Sequence, residues 1–526
     1  MEKQSLGHKA FKTIGFMAVM ILLAKFSGLF KESLIASLYG TTTEADVLAT
    51  VAYIPPLFFE LVLGAAVTSA FIPIFNDYLK NDGRERAFAF ANNFLNIVVL
   101  ITFAATILGM IFTLPISKAI ANDAAQITQI SFLLRIFFPA IVFTGLAFVA
   151  VGILQSLGEF NVPAIISLLS NGLVIVYLYV FGTKYGLAGI VVAMLIGWSL
   201  QFFVQVPSLI KKKFKYKFSM NFRDKGLKSS IRLAGPALVG SWQQPICLLI
   251  SMRFALALGE GSWAGFGYAN KLYIIVVMVL ASTVASFVFP KLSRLSAGGD
   301  DDGFADTTNM SLNMLLYVIV PVSFLFMALA VPIISLVYER GEFGAESVGL
   351  ASTALMYLSP GMVGFAVCEV LNKSFYAMKD GVTPMVASIA GIVVNIASAF
   401  LMVNVWRLGL AGVALATALS STVAAAALII IMARKRPGMF DWRFAGNLGL
   451  VLVCGGLAFF AAKASYGFVD IRLGNEAAGI ARFGWTLAKL AVSGGMGLIT
   501  YFAAGLIFKV SQAKSVIALM KKGGEV

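Results

Sequence analysis

The chain has 526 residues, of which 59% are hydrophobic and only 12% are charged. Soluble domains average about 25% charged residues, so this composition excludes a large soluble protein and indicates one that crosses a membrane many times. The net charge of +15 lies mostly in short loops on one predicted side, a distribution that argues against nucleic-acid binding.

Apolar stretches able to cross a bilayer, each about 20 residues or longer, recur along the chain. No small-residue cleavage site of a signal peptide follows the first stretch. We therefore predict an all-α polytopic membrane protein with about fourteen transmembrane helices. The predicted spans are approximately 11–39, 44–76, 85–113, 125–157, 161–183, 186–210, 230–258, 263–290, 308–337, 346–378, 383–405, 409–433, 445–467 and 484–508.

The distribution of basic residues predicts the orientation of these spans. With the N-terminus inside, the inner segments carry 25 lysines and arginines and the outer loops carry 6. Because cytoplasmic loops of membrane proteins are enriched in Lys and Arg, we expect both termini in the cytoplasm.

Three short motifs recur in the same order at offsets of 217, 221 and 223 residues, which indicates one six-span unit used twice. Since six is even, the copies would share their orientation and be related by a pseudo-two-fold axis along the membrane normal, with a substrate cleft between them. The motif pairs are Phe71–Phe75 with Phe287–Lys291, Val162-Pro163 with Thr383-Pro384, and Gly186–Gly189 with Gly409–Gly412. The predicted domains are an N-terminal lobe (1–210), a basic cytoplasmic linker (211–229), a C-terminal lobe (230–436), and two extra helices with a cytoplasmic tail (437–526).

The linker combines clustered lysines with Phe214 and Tyr216. Such a composition suits a segment on the inner membrane surface that is attracted to anionic lipid. A determinant of topology with no further role explains the same charges equally well.

Lysines inside the predicted spans are the first candidate site residues. Lys25 and Lys31 lie in span 1, six residues apart and so within about 120° of each other around a helix, and Lys271 lies in span 8. An ammonium at bilayer depth costs several kcal/mol unless it faces water or a partner, so such residues are usually functional. Three cations from two lobes would suit a diphosphate. The alternatives are snorkelling of Lys25 and Lys31 to opposite surfaces, and an ion pair of Lys271 with Asp46 or Glu260.

Polar residues in the same spans are candidates for lining the cavity or for gating: Glu32, Asp46, Glu60 and Asn270. A first-turn or capping acid explains Asp46 equally well. Glu60 follows Pro55-Pro56, which should kink or interrupt span 2, and it would pair with a cavity lysine or titrate during transport.

Two further sets of polar residues in the spans have simpler explanations. Glu369 and Lys373 are spaced i, i+4 and should pair with each other. Asn171 and Asn395 should bond to neighbouring helices rather than to an ion.

Motifs of catalysis and metal binding are missing from the sequence. It contains no GxxxxGK[ST] phosphate loop. Its three cysteines, Cys247, Cys368 and Cys454, all lie in apolar spans and indicate neither disulfides nor a metal site. We therefore expect a transporter, not an enzyme, with no cofactor and no metal.

Taken together, the order and spacing of several motifs resemble the MurJ (MviN) lipid II flippases, a family of the multidrug/oligosaccharidyl-lipid/polysaccharide exporter superfamily. The resemblance covers spans 1–12 well and spans 13 and 14 weakly. Its motifs are Ser27–Gly40, Asp46, Ile54–Pro73, Tyr268–Leu272, Phe289–Ser293, Tyr338–Phe343, Phe375–Ala377 and Thr383-Pro384.

This resemblance implies two six-helix lobes, plus two helices that line a lipid-tail groove. It also implies flipping of undecaprenyl-diphosphate-linked peptidoglycan precursor from the inner to the outer leaflet. By the same resemblance, Lys25, Lys31 and Lys271 fall on positions of diphosphate-binding arginines, and Asp46 falls on that of an acid in span 2.

Several positions depart from the family pattern. Phe59 stands where an arginine is expected, and Gly64 and Ile274 stand where acids are expected. Lysine keeps the charge of arginine but loses its planar fork. Lipid II and another polyprenyl-diphosphate-linked glycan therefore both stay open as substrates. The acids that a sodium site in part of the family needs in spans 7 and 11 are missing, so coupling to membrane potential, Na⁺ or H⁺ stays open.

The resulting expectation is a lipid II flippase that works by alternating access as a monomer in the bacterial cytoplasmic membrane. Its partners would be the lipid-linked glycan and membrane lipids. One alternative is a cation-coupled drug antiporter of the same superfamily, although such proteins favour acids in the cavity and this interior is biased towards basic residues. A non-transporting membrane scaffold is a further alternative.

Overall fold

The computed structural model describes residues 2–64, 70–440, 442–473 and 480–513. Within these ranges the chain consists of helices joined by turns and short loops, with no strand. The all-α prediction is confirmed. Part of the predicted loop between spans 13 and 14 (474–479) and the end of the predicted cytoplasmic tail (514–526) lie outside the described residues.

Twelve α-helices lie in the described residues before residue 260. They are α1 (Glu2–Tyr39), α2 (Thr43–Val62), α3 (Ile72–Asn81), α4 (Gly83–Ile111), α5 (Thr113–Ile120), α6 (Ala124–Phe137), α7 (Ala140–Ser156), α8 (Asn161–Phe181), α9 (Gly186–Phe203), α10 (Val206–Lys211), α11 (Lys225–Ser241) and α12 (Gln243–Leu258).

The described helices that follow are α13 (Ser262–Val277), α14 (Thr283–Gly298), α15 (Asp301–Ala328), α16 (Ala330–Tyr338), α17 (Ala345–Leu358), α18 (Gly361–Ala377), α19 (Val382–Phe400), α20 (Gly409–Lys435), α21 (Trp442–Leu473) and α22 (Ile480–Ile507). A short π-helical turn, Met278–Ser282, joins α13 to α14, and a second, Leu401–Val405, extends α19.

Where the structure describes it, each predicted span coincides with one helix or with two consecutive helices. Among the described residues, eleven helical segments are long and apolar enough to cross a membrane, or twelve if α17 and α18, bent by 48°, form one span. The first and seventh predicted spans are not among them. The seventh is divided at Trp242, and its second half, α12, has only 16 residues.

The chain forms two compact units, the first consisting of Met1–Pro245 with Gly259–Trp263 and the second of Ile246–Leu258 with Ala264–Val526. This division lies later than the predicted start of the C-terminal lobe at residue 230, because α11 packs on α2, α3 and α4 of the first unit. The two C-terminal helices, α21 and α22, pack on each other and on α15 and α16 within the second unit.

The same helix pairings occur inside each unit. In the first unit, predicted span 2 packs on span 4, span 3 on span 4, span 4 on span 6, and span 5 on span 6. In the second unit the corresponding pairs, each six spans later, are 8 with 10, 9 with 10, 10 with 12, and 11 with 12. This agreement supports the duplication, whose symmetry axis stays a prediction.

Local sequence signals explain several helix ends and one close helix pair. The side chain of Thr42 accepts a hydrogen bond from the Ala45 amide and caps α2, and Asp300 caps α15 in the same way. In the second unit, a Cβ at Gly364 would lie 2.6 Å from the backbone nitrogen of Thr422. Glycine there allows α18 and α20 to pack closely, as small residues do in membranes.

The interruption of span 2 lies later than predicted. The α2 helix continues through Pro55 and Pro56 and ends at Val62, so the Pro pair does not end it. A Cβ at Gly64 would lie 2.8 Å from the Glu60 carbonyl oxygen, which makes glycine the residue that fits directly after the helix.

Candidate functional site

The two predicted lysines of α1 have different surroundings. Lys25 is exposed, whereas the Lys31 side chain is 15% exposed and its Nζ lies 3.4 Å from Oε1 of Glu32, itself 18% exposed. The half-buried pair partly neutralises Lys31, and the ammonium of Lys25 is left uncovered by the protein.

Asn171 of α8 fixes the segment of α1 that carries Lys25. Its Nδ2 donates to the carbonyl oxygen of Ala24 and to Oγ of Ser27, each at 3.3 Å. The expectation that Asn171 bonds to a neighbouring helix is confirmed. The same expectation is wrong for Asn395, which is fully buried in α19 with no hydrogen-bond partner for its Nδ2 or Oδ1 among the described residues.

Two acids, Asp46 and Glu260, connect the start of α2 to the tight turn around Gly261 in the first unit. Asp46 is fully buried, and its Oδ2 accepts a 2.7 Å hydrogen bond from the backbone amide of Gly261. Oε1 of Glu260 accepts from the Thr43 amide at 2.8 Å. Gly261 has φ +73°, and a Cβ there would lie 1.9 Å from the carbonyl oxygen of Thr41, so only glycine fits this turn. Asp46 is thus a first-turn acid of α2 with a defined structural contact.

The end of α2 combines an apolar contact with an exposed acid. Phe59, at the position where the resemblance implies an arginine, is 4% exposed and its ring centroid lies 5.0 Å from that of Phe148. Glu60, the next residue, is exposed. The indole Nε1 of Trp242 donates to the Leu61 carbonyl oxygen at 3.0 Å, which ties α11 to this end of α2.

The second unit contains the remaining two candidates, both in α13. Lys271 is exposed and Asn270 is 8% exposed. One turn earlier, the Tyr268 ring packs against Tyr338 and Phe343, with centroids 5.1 and 5.4 Å away. The aromatic cluster fixes α13 directly before the candidate lysine, and the π-helical turn after Val277 follows it. Such turns are frequent at functional sites.

Glu369 and Lys373 do not form the expected ion pair at contact distance in the described chain, although the charge of Lys373 acts on the Glu369 carboxylate. Lys373 Nζ lies 5.6 Å from the ring centroid of Phe289, a cation–π distance. The three cysteines are free and buried. Across the described part of the chain, no group of three or more His, Cys, Asp or Glu side chains could hold a metal ion.

Three asparagines of α4 were not among the predicted residues, although their amides form an extensive polar contact. Asn92, Asn93 and Asn96, each 3–5% exposed, bond to the backbone of the basic linker. The bonds are Asn92 Nδ2 to Lys215 O (3.0 Å), Lys217 N to Asn92 Oδ1 (3.1 Å), Asn96 Nδ2 to Ser219 O (3.0 Å), Asn93 Nδ2 to Asn221 O (3.0 Å) and Asn221 N to Asn93 Oδ1 (2.6 Å). Three amides within five residues of an apolar span are the sequence signal that could have indicated them.

Comparison with known families decides the identity of the fold. A profile described as "Lipid II flippase MurJ" matches residues 35–473. The chain belongs to the MurJ family. Relatives include a "Probable lipid II flippase MurJ" of Buchnera aphidicola subsp. Schizaphis graminum, 26% identical over 72% of this chain and 75% of the relative. Another is the "Lipid II flippase MurJ" of Burkholderia cenocepacia, 24% identical over 86% of this chain and 90% of the relative.

Solved structures agree on the fold. "Lipid II flippase MurJ, inward closed conformation" aligns with a TM-score of 0.75 and 22% identity, covering 94% of this chain and 98% of that one. An inward-facing multidrug resistance MATE family transporter of the MOP superfamily aligns with a TM-score of 0.68 and 15% identity, covering 80% and 98%. MurJ membership and the apolar helices together support a multi-pass protein of the bacterial inner membrane.

Proposed function

We propose that this MurJ family member is a lipid II flippase, a transporter and not an enzyme. It moves undecaprenyl-diphosphate-linked peptidoglycan precursor from the inner to the outer leaflet of the cytoplasmic membrane. The observation that carries the proposal is the family match over residues 35–473, which is supported by relatives whose names give this function.

Within this proposal, Lys25, Lys31 and Lys271 bind the diphosphate. Lys25 and Lys271 are exposed although they lie within apolar helices, and charged side chains at bilayer depth are usually functional. Lys31 is paired with Glu32 at 3.4 Å, so an arriving diphosphate would compete with this carboxylate. Glu32 then acts as a gate that releases the lysine when substrate binds.

The lipid-linked substrate crosses the membrane by alternating access of the two lobes, and both termini face the cytoplasm. The support for this orientation is the excess of basic residues in the predicted inner segments. Transport of the substrate is coupled to membrane potential, Na⁺ or H⁺. Glu60, exposed at the end of α2, and the buried Asp46 and Asn270 are the polar groups of the site that would change partners. The protein works as a monomer and needs no cofactor.

Two other functions use the same fold. A flippase for a different polyprenyl-diphosphate-linked glycan is favoured by Phe59, which is buried in apolar contacts where the resemblance implies an arginine. A cation-coupled drug antiporter is favoured by the likeness to a MATE transporter. Lys25 on α1 and Lys271 on α13, both exposed, are cationic and would repel a cationic drug, so we prefer the diphosphate-linked substrate.

The test is a strain that depends on this gene for cell-wall synthesis. We expect Lys25→Ala, Lys31→Ala and Lys271→Ala to abolish growth, and the three Lys→Arg variants to keep it, because arginine retains the charge. Lys184→Ala, which removes an exposed lysine in the loop between α8 and α9, serves as the matched control.

Native mass spectrometry of the copurified lipid separates the alternatives. The proposal expects a lipid with the mass of lipid II, bound less by the alanine variants than by the wild type and the control. A different diphosphate-linked glycan would favour the first alternative. Full growth of all three alanine variants would refute the role of the lysines.

A further inference from the structure

We propose that residues 214–222, here called the tethered segment, form a preformed anchor that lies in the headgroup layer of an anionic lipid leaflet. The segment runs between α10 and α11 and has no regular secondary structure. Its sequence, Phe-Lys-Tyr-Lys-Phe-Ser-Met-Asn-Phe, alternates apolar and polar residues over its whole length.

The asparagine side chains of α4 hold this segment in an extended form. Every second residue from Lys215 to Asn221 bonds through its backbone to one of the three amides. A spacing of two residues is that of an extended chain, in which alternate side chains point to the same face. The amides therefore take the place of a neighbouring strand. They satisfy backbone groups that would otherwise need water, as membrane surroundings require.

The extended form leaves a row of large apolar side chains uncovered. Tyr216 is 59% exposed, Phe218 75%, Met220 38% and Phe222 57%. These residues occupy alternate positions and so share one face. Phe214 begins the row and packs on Phe88 of α4, with ring centroids 5.3 Å apart. The Tyr216 hydroxyl donates to Asn96 Oδ1 at 2.7 Å, so this end of the row is held on α4. The large exposed side chains of Phe218, Met220 and Phe222 follow it, and they suit a partner with both apolar and polar character.

Charge identifies that partner as an anionic lipid surface. Lys211, Lys213, Lys215, Lys217 and Arg223 are all exposed in and around the segment. Two acids beside this region already have basic partners. Asp224 is paired with Arg86 at 3.2 Å, and Glu159 lies 4.0 Å from Lys212 Nζ. A cluster of uncompensated lysines beside aromatic side chains is the pattern that binds anionic headgroups.

The position of the segment along α4 agrees with the depth of a headgroup layer. The stretch Leu95–Phe112 of α4 and its cap has 18 residues, none of them charged and most of them apolar. At 1.5 Å per residue it spans about 27 Å, close to the thickness of the hydrocarbon core. Asn92 and Asn93 precede this stretch and Asn96 lies within its first turn. The tethered segment is thus held at the boundary where aromatic side chains concentrate in membrane proteins.

A spin label at position 218 tests the anchor in the full-length protein. The variant Phe218→Cys, labelled with a nitroxide, is reconstituted into vesicles of phosphatidylcholine alone or of equal parts phosphatidylcholine and phosphatidylglycerol. The native cysteines are buried and leave the site selective. The matched control is Asp302→Cys, an exposed residue at the start of α15. Accessibility to oxygen and to a water-soluble nickel chelate gives the depth of each label.

We expect the label at 218 to lie about 5–10 Å into the boundary of headgroups and acyl chains in the anionic vesicles, the depth of interfacial segments. It should lie shallower in neutral vesicles, while the label at 302 stays in water in both. A label at 218 that is aqueous in anionic vesicles overturns the anchor. Equal depth in both vesicles overturns the role of anionic lipid and leaves the lysines as determinants of topology.

Two additional variants keep the proposal testable if Phe218→Cys fails to fold. Lys215→Gln combined with Lys217→Gln should lower the number of phosphatidylglycerol molecules retained in native mass spectrometry, and the exposed pair Arg407→Gln with Lys184→Gln should not. With a label at Met220→Cys, Asn92→Ala should broaden the distribution of depths. An unchanged lipid count together with an unchanged depth contradicts the proposal.

Discussion

The buried carboxylate of Asp46 offers a test that separates a structural role from a role in transport. Asp46→Ala removes the acceptor of the 2.7 Å hydrogen bond from Gly261 and leaves a buried amide without that partner. A hydrogen bond to a charged group contributes about 1.5–3 kcal/mol, and we expect a loss of stability in this range. Asp46→Asn keeps an oxygen that can accept the same bond, so it should lose less than half as much.

Thermal unfolding in detergent, followed by fluorescence-detected size exclusion, measures this difference. Asp123→Ala is the matched control, since Asp123 also accepts a backbone amide, from Gln126 at 2.9 Å, but is exposed. Its loss should be about 1 kcal/mol, the usual value for a capping acid. If Asp46→Asn is as unstable as Asp46→Ala, the hydrogen bond to Gly261 is not what stabilises the turn. If Asp46→Asn is stable yet fails to support growth, the charge itself is required for transport.

Three further changes test other contacts. Gly261→Ala should prevent folding, because the backbone has φ +73° and a Cβ would clash with a carbonyl oxygen. Gly259→Ala, at φ +125° with no atom within 4 Å of the added Cβ, should show backbone strain alone. Equal melting temperatures of the two variants would refute the clash. The pKa of Asp380, in the loop before α19, is lowered because hydrogen bonds and the charge of a neighbouring lysine outweigh burial. The ionised carboxylate therefore stabilises the fold above the unfolded pKa of about 4, and this stabilisation is lost as pH falls through the lowered pKa. Asp380→Asn should remove this pH dependence, and an unchanged acid limb of the melting temperature would contradict the assignment. Asp470→Ala removes one partner, at 2.6 Å, of Lys489, whose side chain is 3% exposed, and should lower the melting temperature because a buried charge loses a compensating contact. The double variant Asp470→Ala/Lys489→Met should recover most of this loss, and no recovery would refute the pair.

Span positions could be predicted from sequence because length and hydropathy determine them locally. In the described part of the chain the predicted spans coincide with helices, and glycines with positive φ, such as Gly182, Gly186 and Gly409, lie at span ends. An apolar stretch has no alternative in a bilayer but a helix, since every backbone group must be satisfied within it. The boundary of the first unit was less predictable, because the packing of α11 on α2, α3 and α4 depends on tertiary contacts.

Polar side chains within the spans were predicted less well, because their partners lie far away in sequence. Asn171 and Asn395 are the same residue type in corresponding predicted spans, yet one bonds across to α1 and the other has no partner in the described chain. Lys373 has Glu369 one turn away but lies over Phe289 instead. The spacing of residues along a helix predicts which contacts a polar side chain could make. The packing of other helices determines which of these contacts forms.

The position of Phe59 has a consequence for how this protein would hold a diphosphate. The ring is buried against Phe148, so the cations that the proposed site would draw from the first unit are Lys25 and Lys31 of α1, with none from this position of α2. Lysine offers a compact charge on a flexible stem, whereas arginine offers a planar fork that fixes a phosphate in two hydrogen bonds. Binding through lysines therefore depends on the total charge of the ligand more than on its orientation. A ligand that binds Lys31 must displace the Glu32 carboxylate beside it. A ligand with one negative charge would only replace the charge of Glu32, whereas a diphosphate carries more negative charge than this carboxylate.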